Sequence, residues 1–187
     1  NKLMKTFEKA CKDSGAEYDF DIEKIYKTFR VDEDDPVCKL IAGAMDLDEE
    51  KMFKIGTAAL LHDLGLGEMP FLIRKFLVKK FDGLEPVNDL WKRHPFYGYH
   101  LAKEAGIEED ISKLILHHHE QWNGEGYPDG IKKEEIPLGS RIIGVCESYD
   151  TLLRYNDYQP YEAIEYLYGG GDTLFDIEVV TAFAENL

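Results

Sequence analysis

The chain has 187 residues, 44% of them hydrophobic, which suffices for one medium domain with a substantial buried core. Its 22 Lys plus Arg stand against 37 Asp plus Glu, a formal net charge of -15, and a surface that acidic repels DNA and RNA polymers as partners. A small phosphate ligand stays open, because bound divalent cations invert the local field inside a pocket.

Asn1 is not an initiator residue, consistent with a piece of a longer protein, and no basic segment leads into an apolar one at the start. No apolar run approaches the roughly 20 residues of a membrane helix. A soluble, cytoplasmic protein is expected, with Cys11, Cys38 and Cys146 as reduced, buried thiols. The stretches "TFEKACKDSG" and "IEKIYKTF" read as short helices, and the acidic break at residues 30–36 ends in Pro36, which can only begin the next helix, "PVCKLIAGAMDL". Residues 1–30 are expected to form a helical cap or linker ahead of a main body at 31–187. In "KMFKIGTAALLHDLG", Met52, Phe53, Ile55, Ala59 and Leu60 recur at helical steps until Gly65 ends the run. "LAKEAG" closes a helix at Gly106, and "GIEEDISKLILHHHE" carries Ile107, Ile111, Leu114 and Ile115 at similar spacing. "LGSRIIGVCESYDTLL" is a further helix. Pro160 sits at a first-turn position ahead of "YEAIEYLY", glycines 169–171 stop that helix, and a last one lies near "DIEVVTAFAENL". Alternating strands and internal repeats are absent, so the fold class is all-α.

Six histidines punctuate this pattern: His62, His94, His100, His117, His118 and His119, with Asp63 directly after the first. Imidazole with carboxylate is a ligand set for zinc, iron or manganese, and a metal site drawn from separate helices suits a bundle. Each piece alone has an ordinary alternative. A His-Asp doublet can be a C-cap feature, a histidine run a solvated patch, and Gly-Tyr-Pro a turn.

Together, "HDLG" (62–65), "HP" at 94–95 followed by Gly98, "HHE" (118–120) with "NGEGYP" (123–128), and "IPLGSRIIGVCESYD" (136–150) closely resemble the HD-GYP family, bacterial members of the HD phosphohydrolase superfamily. The likeness covers about residues 37–185. It implies a helical bundle of the HD-domain type with a metal centre between helices, hydrolysing cyclic di-GMP to linear pGpG and/or GMP. By that resemblance His62, Asp63, His94, His118, His119 and Glu147 hold two divalent ions, iron or manganese being usual, with Asp63 as the bridging, catalytic carboxylate. Glu147 stands where relatives carry aspartate. The resemblance further implies that Gly126, Tyr127, Pro128 and Arg154 contact the nucleotide, that Glu120 and Asp150 orient ligands, and that the Gly-Tyr-Pro loop is a face for a protein partner. His117 falls at a variable position, and His100 reads as a surface or packing residue.

The sequence also departs from the family pattern. Leu66 stands where relatives place lysine, and Asn156, Asp157 and Tyr158 replace a common Arg-Pro-Tyr triplet, leaving Arg154 as the nearby guanidinium. Ligands for a third ion would fall near Tyr26 and Arg30, neither of which ligates, so two ions are expected. Two other readings follow from these losses: a weakened member that senses a cyclic dinucleotide or a protein partner, and a hydrolase of some other phosphoester.

Overall fold

The computed structural model describes residues 45–68 and 89–187. The expected cap at 1–30, the early helices, Cys11, Cys38, Tyr26 and Arg30 lie outside the described residues. In chain order come α1 (Glu49–Leu61), a 3-10 turn (Leu64–Glu68), α2 (His94–Glu104), α3 (Glu109–Leu116), a second 3-10 turn (Lys133–Glu135), α4 (Leu138–Tyr155), α5 (Pro160–Gly169) and α6 (Ile177–Glu185). Among the described residues the only ladder-like contact is an isolated bridge between Gly171 and Phe175, so the fold is all-α as expected. None of these helices is long and apolar enough to cross a membrane.

Helix starts follow local chemistry. Asp48 caps α1 by accepting the Lys51 backbone N–H at 2.8 Å, with Glu49 and Glu50 favourably placed at the positive end of the helix dipole. Pro160 opens α5, and the Glu162 carboxylate reaches back to the Gln159 N–H at 2.7 Å. Asp176 caps α6 through the Glu178 N–H, while its other oxygen takes the guanidinium of Arg141 from α4. That bridge ties the last helix to the longest one.

Two helix ends differ from the sequence expectation. The first was expected to run to Gly65, yet α1 stops at Leu61 and leaves His62 and Asp63 in a turn. His62 donates from Nδ1 to the Ala59 carbonyl at 2.6 Å, and the Leu66 N–H reaches only as far as the Asp63 carbonyl at 2.9 Å, tightening the chain into 3-10 geometry. Likewise α3 ends at Leu116, so the three consecutive histidines are turn residues.

Two apolar clusters share α1 and α4. Ile55, Ile142, Val145, Leu167, Val179, Val180 and Phe183 join α1, α4, α5 and α6, whereas Ala58, Ala102, Ile111, Ile115 and Ile143 join α1 to α2, α3 and α4. Each fully buried branched side chain contributes about 1.5–3 kcal/mol. Ile115 is fully buried just two residues before His117, so core packing fixes the helix end that delivers the histidine turn.

Candidate metal centre

The close approach of two backbones brings the first candidate ligands together. A Cβ on Gly65 would lie 1.9 Å from the His94 carbonyl oxygen and 2.6 Å from the Gly98 nitrogen, so only glycine lets the turn after α1 touch the first turn of α2. Across this contact Asp63 Oδ1 lies 3.3 Å from His94 Nε2, and Asp63 Oδ2 lies 3.5 Å from His62 Nε2. From the end of α3, His118 Nε2 comes within 3.1 Å of His94 Nε2. His119 Nδ1 faces Glu147 Oε2 of α4 at 3.9 Å.

Three imidazoles are oriented by the same device. His62, His94 and His118 each place Nδ1 at 2.6–2.7 Å from the carbonyl three residues earlier, on Ala59, Trp91 and Ile115. A carbonyl can only accept, so Nδ1 carries the proton and Nε2 of the neutral ring is left as a lone pair. Burial lowers the pKa of His94 and of His118, and the neighbouring imidazoles lower that of His118 further, so both rings favour the neutral form. Their Nε2 atoms face one another at 3.1 Å, and with both rings neutral and both Nδ1 protons on carbonyls that contact is between two lone pairs. That arrangement is repulsive unless a cation sits beside both. His119 is held well below the usual range by burial and then by His94 and His62. Buried Asp63 Oδ1 and His119 Nε2 have no hydrogen-bond partner. Burial opposes charge on His62, but Asp63 and Glu147 outweigh it and raise its pKa. The Glu147 carboxyl is pushed up to about 7, by burial first and then by the charges of Asp63 and Asp150, against the pull of His62.

His94, His118 and His119 offer ligand atoms close enough together to hold a metal ion, with Asp63 and His62 adjoining. Neutral imidazoles fixed by backbone acceptors, beside orphaned carboxylate and ring atoms, are the donor set a divalent cation satisfies.

The loop after α3 folds back on the centre. A Cβ on Gly126 would meet the Gln121 nitrogen at 2.2 Å, and the tight packing lets Tyr127 stack on His119 with ring centroids 4.8 Å apart. The peptide between Tyr127 and Pro128 is cis. A cavity of about 480 Å³ opens beside the histidines, with Trp91, Trp122, Tyr127, Arg141, Glu147 and Asn156 among its walls. Its size is within the range of small-molecule sites.

The structure therefore brings His62, Asp63, His94, His118, His119 and Glu147 to one place, with Tyr127 against it. Glu120 instead accepts the Asp129 and Gly130 backbone N–H groups, at 2.8 and 3.1 Å. Asp150 and Arg154 pair with each other at 2.6 Å, both more than half or about half exposed, and the pairing draws the guanidinium to a carboxylate on its own helix. His100 packs on Phe96 away from these contacts. Sequence reasoning passed over Trp91, whose carbonyl sets the His94 tautomer, although its position three residues before His94 repeats Ala59 before His62. It also passed over two cations: Arg141, over the Trp122 ring, and Lys92, 5.9 Å from the Tyr127 ring centroid.

The HD domain family model matches residues 23–179, and the chain belongs to that family. Its motifs and relatives make it a member of the HD-GYP type. It is 37% identical over 154 residues to the cyclic di-GMP phosphodiesterase response regulator RpfG of Xanthomonas campestris pv. campestris, covering 78% of this chain and 39% of that protein. It is 31% identical over 152 residues to the cyclic di-GMP phosphodiesterase of Thermotoga maritima, covering 76% and 40%. Among solved structures, the cyclic GMP-AMP-specific phosphodiesterase V-cGAP3 of Vibrio cholerae shares the fold, with a TM-score of 0.64 and 21% identity over 80% of this chain and 41% of that one. The chain thus spans about two fifths of the length of these curated relatives.

Proposed function

We propose that this chain hydrolyses cyclic di-GMP to linear pGpG and/or GMP, using two divalent ions, iron or manganese, held by His62, Asp63, His94, His118, His119 and Glu147. The observation that carries the reading is the 3.1 Å approach of the Nε2 atoms of His94 and His118, each ring turning Nδ1 to a backbone carbonyl, beside a buried Asp63 oxygen without a partner. When bound, the ions supply the Lewis acidity that polarises a phosphate and activates water for in-line attack. The chain's own residues supply order. Carbonyls of Ala59, Trp91 and Ile115 lock three rings in the ligating tautomer, and Asp63 presents one oxygen toward His94 and the other toward His62. Tyr127 covers His119 and walls the cavity in which the dinucleotide would lie. Lys92, above Tyr127, gives an otherwise acidic chain local positive charge for phosphate, whereas Arg141 in the cavity wall is already paired with Asp176.

A second reading is a weakened member that binds the nucleotide as a sensor, with the Gly-Tyr-Pro loop as a face for a protein partner. It is favoured by Asn156, a neutral residue lining the cavity where the family resemblance leads one to expect a cation, and by Leu66. Protein reconstituted anaerobically with iron(II) or manganese(II) and incubated with cyclic di-GMP separates the two when products are resolved by chromatography. Linear product that disappears in the Asp63→Ala variant supports catalysis, and saturable binding without product supports the sensor.

A further inference from the structure

Beside the six-residue centre a second set of ligating atoms converges, on residues that the proposed hydrolysis does not use. His117, Glu120 and Asp129 offer one atom each, all within 4.8 Å of one another. His117 Nδ1 lies 3.7 Å from Glu120 Oε1 and 3.8 Å from Asp129 Oδ2. These separations are too long for hydrogen bonds but near the span of ligands around one ion, about 3.4 Å for tetrahedral zinc with bonds of about 2.1 Å. Unlike His62, His94 and His118, whose Nδ1 atoms bond to backbone carbonyls, His117 turns a buried Nδ1 with no partner toward two carboxylates. The Glu120 side chain is 0% exposed, and its Oε2 is buried without a partner. A buried carboxylate half satisfied by two backbone N–H groups, next to an orphaned imidazole nitrogen, leaves charge and lone pairs unanswered. His117 is also the C-cap of α3, the negative end of that helix dipole, which favours a cation.

We propose that His117, Glu120 and Asp129 form a separate binding site for a divalent transition-metal cation such as zinc, with a structural role. One imidazole and two carboxylates match that class, and the 56% exposed Asp129 gives the ion a route from solvent. The ion would clamp the end of α3, one residue before His118, to the loop that carries Tyr127. Loop closure over the catalytic cavity would then depend on a metal that takes no part in chemistry. The proposal stands apart from the reading of activity.

The test loads the whole chain with zinc, counts ions per chain by elemental analysis, and follows hydrogen exchange of the amides at 124–130. His117→Ala and Asp129→Asn should each lose about one zinc relative to the unaltered chain, with the helical spectrum retained. In Asp63→Ala, whose catalytic centre is disabled, zinc should still slow exchange of the loop by about tenfold or more. Asp129→Asn changes an exposed loop residue, so it keeps the test valid if His117→Ala misfolds. The proposal is overturned if both variants keep the full zinc count, or if zinc protects the loop only when Asp63 is present. Absence of cyclic di-GMP turnover with these results intact would count against the activity alone.

Discussion

Substituting Gly65 by alanine should damage the metal centre without touching a ligand. The new methyl would lie 1.9 Å from the His94 carbonyl oxygen and 2.6 Å from the Gly98 nitrogen, both well inside ordinary contact, and both obstacles are backbone. Relief requires the turn bearing His62 and Asp63 to move away from α2, which opens the 3.3 Å approach of Asp63 to His94. Overpacking of this kind costs about 1–3 kcal/mol. For a chain of this length each kcal/mol shifts Tm by about 2–4 °C, so the loss should be about 2–12 °C. A displacement of about 1 Å at the ligands should also lower turnover by about 100-fold. Gly56→Ala is the matched control, since Gly56 lies inside α1 with no atom within 4 Å of its added methyl. There alanine should stabilise by about 0.5–1 kcal/mol and leave metal content alone. Thermal melts with elemental analysis on both variants decide it. A Gly65→Ala protein with unchanged Tm and full metal content would refute the argument that this backbone contact builds the site.

Asp63→Ala should lose centre metal and hydrolysis together while keeping its helical circular dichroism, because the apolar helix faces and not the carboxylate hold the fold. Glu147 must shed a proton before it ligates, and its carboxyl is pushed up to about 7. Metal affinity measured by calorimetry should therefore rise by up to about tenfold per pH unit toward pH 7 and level off above it, and Glu147→Gln should flatten that slope. Leu66→Lys restores a cation beside the His62–Asp63 turn and should raise kcat/KM for cyclic di-GMP about tenfold, corresponding to about 1.4 kcal/mol. Unchanged kinetics with normal melting would mean that the missing lysine does not limit the protein.

Much of this architecture is legible in the sequence because its helices carry strong punctuation. Pro160, Asp176 and Gly106 mark boundaries that the structure keeps, and spacing of Ile111, Leu114 and Ile115 marks the face that packs inward. The ends of α1 and α3 were less readable. Apolar periodicity carries through Leu61 and Leu116, and only the bond from each imidazole to a carbonyl three residues back shows why the helix stops there. The proposed ligands are picked out by motif order, whereas the geometry that would let them share a cation needs three separated segments in contact. Arg154 shows how little position along the chain says about pairing. It lies near the site in sequence, yet Asp150 one turn earlier captures it. His117 looked incidental because Asp129, twelve residues away, reaches it only when the loop folds back through Gly126.

If the histidine and carboxylate cluster works as proposed, phosphodiester cleavage by this chain must follow metal occupancy. The most direct measurement is a titration of metal-free protein with manganese(II) under excess cyclic di-GMP, following linear product and bound metal in the same samples. No product should form at the start, and the rate should climb as the centre between Asp63, His94 and Glu147 fills and then hold constant. Full occupancy of that centre, seen by anomalous diffraction at the manganese edge, with no linear product at any point in the titration would contradict it.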